Sequence, residues 1–148
     1  MPTDTCVFCR IVAGEIPAAT VYEDEQLLAF LDIAPINKGH VLLIPKQHYV
    51  SLTSLPPALC GQLFQAVPRP AAAVMRAAGA DGFNLLLSNG SVAGQVVPHT
   101  HLHIIPRLAN DGILLPARSK PYAAAAERQA FVDAIRARLK QRDEDGAP

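Results

Sequence analysis

Short apolar runs bounded by turn-forming residues recur through most of the chain and predict β-strands. The predicted strands are Thr20–Tyr22, Leu27–Leu31, His40–Ile44, Phe83–Ser88 and Val97–Ile105. The second and third are separated by a loop at 32–39, which contains Pro35 and Gly39. The third run is apolar almost throughout and is closed by Pro45.

Three other segments have the apolar spacing of helices. A short helix is expected over Cys6–Ala13. The alanine-rich segment Pro56–Ala78 must be kinked or divided at Pro68 and Pro70, because proline cannot donate an intrahelical hydrogen bond. Ala123–Arg142 is predicted to be amphipathic, with apolar positions at Phe131, Ile135 and Leu139. Strands mixed with a few helices predict an α+β fold.

Length and composition fit one globular domain. The chain has 148 residues, 50% of them hydrophobic, so we expect a single domain over 1–148 with a frayed tail at 143–148. Lys plus Arg and Asp plus Glu number 13 each, without the basic excess of a nucleic-acid-binding protein. No apolar run predicts a membrane span, and no secretory signal is evident at the start. Three cysteines do not make a disulfide framework, so we expect a cytoplasmic location.

Three of the five histidines occupy alternate positions in His99-Thr100-His101-Leu102-His103. In a strand these positions share one face, which would align three imidazoles with about 6–7 Å between neighbouring Cα atoms. Histidines on a solvated strand face, or a partial metal site, are the alternative interpretations. The preceding loop favours a ligand site, because backbone N–H groups around Gly90 and Gly94 can bind an anion such as phosphate.

Imidazoles beside a phosphate-binding loop indicate nucleophilic chemistry. A neutral imidazole can attack phosphorus near pH 7, since its ordinary pKa is about 6.5. Attack would form a nucleotidyl–histidine intermediate, which water would then cleave. His101 is the best placed for attack because a histidine lies on either side of it. Its neighbours can fix its tautomer and stabilise charge on the phosphate oxygens.

The motif His99-Thr100-His101-Leu102-His103-Ile104-Ile105 resembles the signature of the histidine triad (HIT) family. The resemblance spans a core at about 6–107, and Glu15-Ile16-Pro17-Ala18 with the small size of the chain favours the Hint-like branch. It implies a HIT-like fold, an antiparallel β-sheet with packed helices. Further matching blocks are Phe8-Cys9-Arg10-Ile11, Ala29-Phe30-Leu31-Asp32-Ile33, Lys38-Gly39-His40-Val41-Leu42-Leu43-Ile44-Pro45-Lys46, Asn89, Gly94-Gln95 and Pro106-Arg107.

The resemblance implies roles for four histidines. His101 corresponds to the nucleophile, and His103 to the triad member near the phosphate and the leaving group. His99 would support the setting of the nucleophile. His40 corresponds to a fourth histidine that joins the site from a neighbouring strand, although it is also compatible with a purely structural role.

The resemblance also implies a nucleotide pocket. Asp32 corresponds to the carboxylate that accepts hydrogen bonds from the ribose hydroxyls, but a residue before a proline-containing loop can also be a simple turn former. Gln95 can likewise be an ordinary loop residue. Val96 stands where some relatives carry Ser or Thr, so only its backbone N–H can bind phosphate. The predicted nucleotide-binding residues are Phe30, Asp32, Ile33, Asn89, Gly94, Gln95 and Val96.

Cys6 and Cys9 have the spacing of one half of a tetrahedral zinc site. His48 and His99 are candidates for the other two ligands, as in the zinc site of some bacterial HIT proteins. The alternative is a pair of reduced, partly buried cysteines. The reaction at phosphorus requires no metal, so any zinc would be structural. Cys60, on the predicted middle helix, is expected to be a small core residue.

The resemblance implies a hydrolase that releases nucleoside 5′-monophosphate, AMP or GMP, from a leaving group. Phosphoramidates, adenylates and dinucleoside polyphosphates are the candidate substrates, and purine nucleotides the expected ligands. A nucleotide-binding regulatory or scaffold protein with little turnover is the alternative. A nucleotidyltransferase of the galactose-1-phosphate type is disfavoured, because it needs two such halves. The resemblance further implies a homodimer, with apolar residues of Pro56–Ala78 in its interface.

Overall fold

The computed structural model describes residues 5–114 and 121–144, with side chains described as far as residue 134. The described residues form two compact units divided between Ile113 and Leu114. The first unit contains the sheet, all five histidines and the three cysteines. The second contains one helix. Whether both units form one domain, as the sequence predicts, stays a prediction.

The first unit is built on a five-stranded antiparallel sheet. Its strands are β1 (Thr20–Glu23), β2 (Leu27–Leu31), β3 (Val41–Pro45), β4 (Gly82–Leu86) and β5 (Leu102–Arg107). Their order across the sheet is β1-β2-β3-β5-β4, so β3 is central and β4 lies at an edge. Together with the helices, this sheet confirms the predicted α+β class.

Prolines begin two of the three α-helices of the first unit. These helices are α1 (Val7–Val12), α2 (Pro57–Ala66) and α3 (Pro68–Ala78). Pro68 divides the alanine-rich segment as predicted, since it has no N–H to continue α2. Gly79 ends α3 in the left-handed conformation, with a φ of 60°.

Helices cover both faces of the sheet. Side chains alternate between the two faces along β2 and β3. Leu27 and Leu43 pack in a cluster with apolar residues of α2 and α3. Phe30 and Leu42 pack in a second cluster with Phe8 of α1. Every residue of β3 is buried, which explains its almost continuous apolar sequence.

The histidine motif is only partly in a strand, so the prediction of a strand over Val97–Ile105 is wrong at its start. β5 begins at Leu102. The N–H of His99 donates to the carbonyl of Val97, and that of Thr100 donates to the carbonyl of Tyr49 at 2.6 Å. Pro98 has no N–H to offer. The N–H groups of His99 and Thr100 therefore bond to loop residues. Of the three histidines in the motif, only His103 is paired with a residue of β3.

The second unit contains α4 (Ala125–Glu144), close to the predicted helix at 123–142. The ring of Phe131 lies 5.7 Å from that of Tyr122 and is about half exposed. The side chains of Ile135 and Leu139 lie outside the described residues. α4 includes Asp143 and Glu144, whereas 145–148 lie outside the described part, so fraying of the tail stays a prediction. Among the helices described, we find none with the length and apolar character that crossing a membrane requires.

Candidate active site

A cavity of about 750 Å³ lies on the α1 side of the sheet. Its wall is mostly apolar, with Phe8 of α1 and Phe30 of β2 facing it. Histidines of the motif and one carboxylate supply its polar groups. Of the predicted site residues, those that line the cavity are Phe30, Asp32, Ile33, Gly94, Val96, His101 and His103. His40, His99, Asn89 and Gln95 do not belong to its lining.

The orientation of the His101 ring is fixed by the backbone. Its Nδ1 lies 2.6 Å from the carbonyl oxygen of His99. Because a carbonyl only accepts, Nδ1 must carry the proton, and in the neutral ring Nε2 then has a free lone pair. Phe8 packs edge-on against this ring at a centroid distance of 5.2 Å. The buried imidazole thus has a defined tautomer with one unprotonated nitrogen.

His103 and His40 form a pair next to that ring. The centroids of the His101 and His103 rings are 4.9 Å apart. Nε2 of His40 lies 2.9 Å from Nδ1 of His103. Burial, together with the neighbouring His101 and His40, lowers the pKa of His103 to about 4. Burial also lowers the pKa of His40, so both rings are neutral at pH 7.

Asp32 both forms a turn and lines the cavity, and its contact with ribose stays a prediction. Its Oδ1 accepts the N–H of Ala34 at 2.9 Å, so the residue does form a turn. Its Oδ2 lies 3.7 Å from Nε2 of His40, and the residue lines the cavity. One carboxylate oxygen holds the loop while the other remains available at the cavity.

Two of the predicted nucleotide ligands are used within the protein itself. Gln95 accepts the N–H of Gly90 at 2.7 Å and donates to the carbonyl of Val50 at 2.5 Å. Asn89 accepts the N–H of Leu52 at 2.8 Å. Both side chains therefore hold the loop before the motif against the segment after β3. A direct contact of either with nucleotide stays a prediction.

The same loop reaches the cavity at two other positions. Gly94 has a φ of 90°, a left-handed conformation that lets the chain turn after the 3₁₀ helix Ser91–Ala93. Val96 lies at the cavity with its side chain almost fully exposed. Its apolar side chain offers no hydroxyl to a phosphate, as the sequence indicates.

A second cluster combines His99 of the motif with Cys6, Cys9 and His48. All four ligand atoms lie within 4.8 Å of one another. Nδ1 of His99 lies 3.4 Å from Sγ of Cys6 and 3.6 Å from Sγ of Cys9. Nδ1 of His48 lies 3.3 Å from Sγ of Cys9 and 3.2 Å from Nδ1 of His99. In a tetrahedron with bonds of about 2.0–2.3 Å, the ligand atoms are about 3.3–3.8 Å apart.

The chemistry of this donor set fits a zinc ion. Nε2 of His99 lies 2.8 Å from the carbonyl oxygen of Pro45, so it carries the proton and Nδ1 presents a lone pair to the cluster. Burial lowers the pKa of His99 to about 4, which keeps the ring neutral. Burial and the adjacent Cys6 raise the pKa of Cys9 to about 11. A divalent cation would offset the rise in the pKa of Cys9, because it stabilises the thiolates.

The family of the chain follows from a comparison of its sequence with known domains. Residues 13–110, which include the histidine motif and His40, match the sequence model of the HIT domain. The chain belongs to the HIT family. The antiparallel sheet described above is thus a HIT fold, as the sequence predicts.

Three relatives show how this HIT domain compares with known proteins. The chain is 40% identical over 136 residues to adenylylsulfatase HINT3 of Arabidopsis thaliana, covering 90% of this chain and 69% of that protein. It is 43% identical over 103 residues to adenosine 5′-monophosphoramidase hnt1 of Schizosaccharomyces pombe, covering 70% and 74%. The crystal structure of a Zn-bound histidine triad family protein from Mycobacterium smegmatis matches with a TM-score of 0.68, 40% identity and coverage of 97% and 99%.

Sequence reasoning gave Phe8 no role of its own in this HIT site. Phe8 lies between the two cysteines and packs edge-on against Phe30, His99 and His101, with centroid distances of 5.6, 5.8 and 5.2 Å. It therefore contacts the cavity, the cysteine–histidine cluster and the ring of His101 at once. The signal in the sequence was an aromatic residue standing between the two cysteines of the Cys-x-x-Cys pair.

Proposed function

We propose that the protein hydrolyses nucleotides by transferring a nucleoside 5′-monophosphate to His101 and then to water. The observation that carries the proposal is the bond from His101 Nδ1–H to the carbonyl oxygen of His99. In the neutral ring it leaves Nε2 of this cavity-lining imidazole with a free lone pair. Phosphoramidates, adenylates and dinucleoside polyphosphates of adenosine or guanosine are the proposed substrates.

In the first step, Nε2 of His101 forms a bond to phosphorus and the bond from phosphorus to the leaving group breaks. Positive charge that develops on the imidazole is stabilised by the carbonyl oxygen that accepts Nδ1–H. His103 is adjacent and can donate a hydrogen bond to the phosphate or the leaving group. In the second step, water cleaves the P–N bond, releases the nucleoside monophosphate and restores the neutral ring.

The cavity supports binding of a nucleoside. Phe8 and Phe30 offer an apolar surface to a purine base. Asp32 offers the oxygen that does not hold its own turn to the ribose hydroxyls. The names of two relatives, an adenylylsulfatase and an adenosine 5′-monophosphoramidase, support an adenosine nucleotide as substrate. Gly94 and Val96 would supply backbone N–H groups to the phosphate.

We propose that Cys6, Cys9, His48 and His99 hold one structural zinc ion. The distances within the cluster and the lone pair of His99 support this assignment. The Zn-bound relative from Mycobacterium smegmatis supports it further. When bound, the ion supplies charge and a rigid link between α1, the His48 loop and the start of the histidine motif. The reaction itself uses the protein's imidazoles.

A homodimer is the assembly that the exposed surface favours. β4 is an edge strand, and Phe83, Leu85 and Leu86 on it are each about two-fifths exposed. Phe64 on α2, within the segment predicted for the interface, is similarly exposed. Light scattering should give twice the chain mass for the native protein and a smaller mass for Leu85→Lys. A monomeric native protein would contradict this proposal.

The covalent intermediate is the decisive product to detect. Protein mixed with an adenosine phosphoramidate is denatured within milliseconds and digested under alkaline conditions, which preserve P–N bonds to histidine. Mass spectrometry should locate one nucleoside monophosphate on the peptide with His99, His101 and His103, and His103→Gln should retain it. Turnover with no labelled histidine would exclude covalent catalysis. Binding without turnover on any of the three substrate classes would favour the regulatory alternative.

A further inference from the structure

The loop between β2 and β3 is anchored to the end of β5 through one amide. Nδ2 of Asn37 donates to the carbonyl of Pro106 at 2.9 Å and to Oδ2 of Asp111 at 3.0 Å. Asp111 is itself held by two hydrogen bonds from the guanidinium of Arg107, at 2.7 and 2.8 Å. Its carboxylate is largely buried, and the Arg107 guanidinium holds its pKa well below the usual range. The anchor is therefore charge-assisted and rigid.

Asn37 also begins the turn that leads to His40. Its carbonyl accepts the N–H of His40 at 3.0 Å. Gly39 has a φ of 95°, which is the left-handed conformation that such a turn requires at its third position. The residue before Asn37 then directs its own N–H at the ring, since Ile36 N–H donates to Nδ1 of His40 at 3.1 Å.

This N–H sets the protonation pattern of two imidazoles. Nδ1 of His40 accepts a hydrogen bond, so in the neutral ring the proton is on Nε2. Nε2–H of His40 then donates to Nδ1 of His103 at 2.9 Å. His103 must therefore carry its own proton on Nε2. The chain of bonds from Ile36 makes His103 a hydrogen-bond donor through Nε2.

The same pattern argues against a metal ion at Asp32, His40 and His103, although their ligand atoms lie within 4.8 Å of one another. A cation on Nε2 of neutral His40 would require a proton on Nδ1. That proton would point at the N–H of Ile36, so two donors would face each other with no acceptor between them. In contrast, His99 directs a protonated nitrogen at a carbonyl and a lone pair at the cysteines.

We propose that Asn37 is a positioning residue for the reaction: by anchoring the loop to Asp111 and Pro106, it holds Ile36 N–H on His40 and so fixes His103 as the Nε2–H donor. The proposal rests on the proposed hydrolysis for its catalytic consequence. Its structural half, the single tautomer of His103, does not depend on turnover.

The test compares Asn37→Ala with Asn84→Ala. Both remove an amide from the Arg107–Asp111 network, but Asn84 accepts from Arg107 at 2.6 Å and makes no bond to the loop. Long-range ¹H–¹⁵N spectra of the histidine rings report each tautomer, with His103→Gln used to assign the His103 signals. We expect a single Nε2–H pattern for His103 in the native protein and in Asn84→Ala. In Asn37→Ala the two nitrogens should give averaged shifts.

Kinetics on an adenosine phosphoramidate provide the second readout. Asn37→Ala should lower kcat about tenfold with KM almost unchanged, because a misplaced donor affects the transition state more than binding. Asn37→Ser, which keeps one donor, should give an intermediate value and serves if the alanine variant does not fold. A single His103 tautomer in folded Asn37→Ala or Asn37→Ser would overturn the proposal. Averaged shifts with native kcat would overturn its catalytic part, whereas a native protein without any turnover would refute the proposed hydrolysis alone.

Discussion

The Nδ1–H of His101 donates a 2.6 Å hydrogen bond to the main-chain carbonyl oxygen of His99. The side chain of His99 points the other way, with Nδ1 at the two cysteines and Nε2 at the carbonyl of Pro45. One residue therefore joins the candidate metal cluster to the proposed nucleophile, through its ring on one side and its carbonyl on the other. His99 supports His101 without its imidazole having to shuttle protons.

Loss of the cysteine pair should destabilise the protein and weaken activity without removing the nucleophile. Native protein purified without chelator should contain one Zn²⁺ per chain by elemental analysis. Cys6→Ser combined with Cys9→Ser should abolish metal binding, lower Tm by several degrees and reduce kcat in part, because the His99 carbonyl loses its anchor.

Cys60→Ser is the matched control, because Cys60 is a free cysteine on α2 outside the cluster. It should retain the metal and nearly native activity. Well under one metal per chain, together with an unchanged Tm in the double variant, would exclude the zinc site.

Asp32→Asn should weaken the binding of ribonucleotides selectively. Asparagine can still accept the N–H of Ala34, so the turn is kept while the charge at the ribose is lost. We expect the Kd of AMP to rise about tenfold, since hydrogen bonds to a charged acceptor are the stronger ones. The Kd of 2′,3′-dideoxy-AMP should change little, as measured by calorimetry.

Asp24→Asn provides the comparison, because Asp24 accepts the N–H groups of Gln26 and Leu27 in a turn outside the cavity lining. It should leave both Kd values unchanged. Equal losses for AMP and its dideoxy analogue in Asp32→Asn would place this carboxylate outside the ribose site.

The free energy of unfolding should fall as the pH is lowered from 6.5 towards 4. Burial lowers the pKa of His103 to about 4 in the folded protein, whereas the unfolded chain titrates near 6.5. Between these values the unfolded chain binds more protons, so stability is lost with acid and is insensitive to this group above pH 6.5. Urea titrations at pH 7, 6, 5 and 4.5 on metal-free protein should reveal this slope, and His103→Gln should reduce it. An identical slope in the variant would mean that His103 is not neutral and buried.

The sequence predicted most of the sheet and the cluster of titratable groups because these follow from local patterns. Apolar runs located the strands, and Pro68 divided the middle helix where its missing N–H required a break. The Cys-x-x-Cys spacing, combined with the family resemblance, predicted that Cys6, Cys9, His48 and His99 would lie together, and they do.

The parts that the sequence could not predict depend on bonds between distant backbone segments. Alternation suggested that His99 and His101 stand in a strand, but the N–H of Thr100 bonds to Tyr49 in a remote loop. The amide of Gln95 links Gly90 to Val50, a pairing that no local pattern indicates. Asn37 carried no motif, and its anchor to Asp111 spans 74 positions. Such pairings are set by the tertiary packing rather than by local periodicity.

The turnover of His101→Ala on an adenosine phosphoramidate, measured beside its binding of AMP, bears most directly on the assignment of the nucleophile. We expect kcat to fall by about a thousandfold or more, because the covalent route is lost. The Kd of AMP should stay within about threefold of native, since Phe30, Asp32 and the backbone at Gly94 and Val96 are retained. A variant that keeps a tenth of the native rate would show that His101 is not the nucleophile.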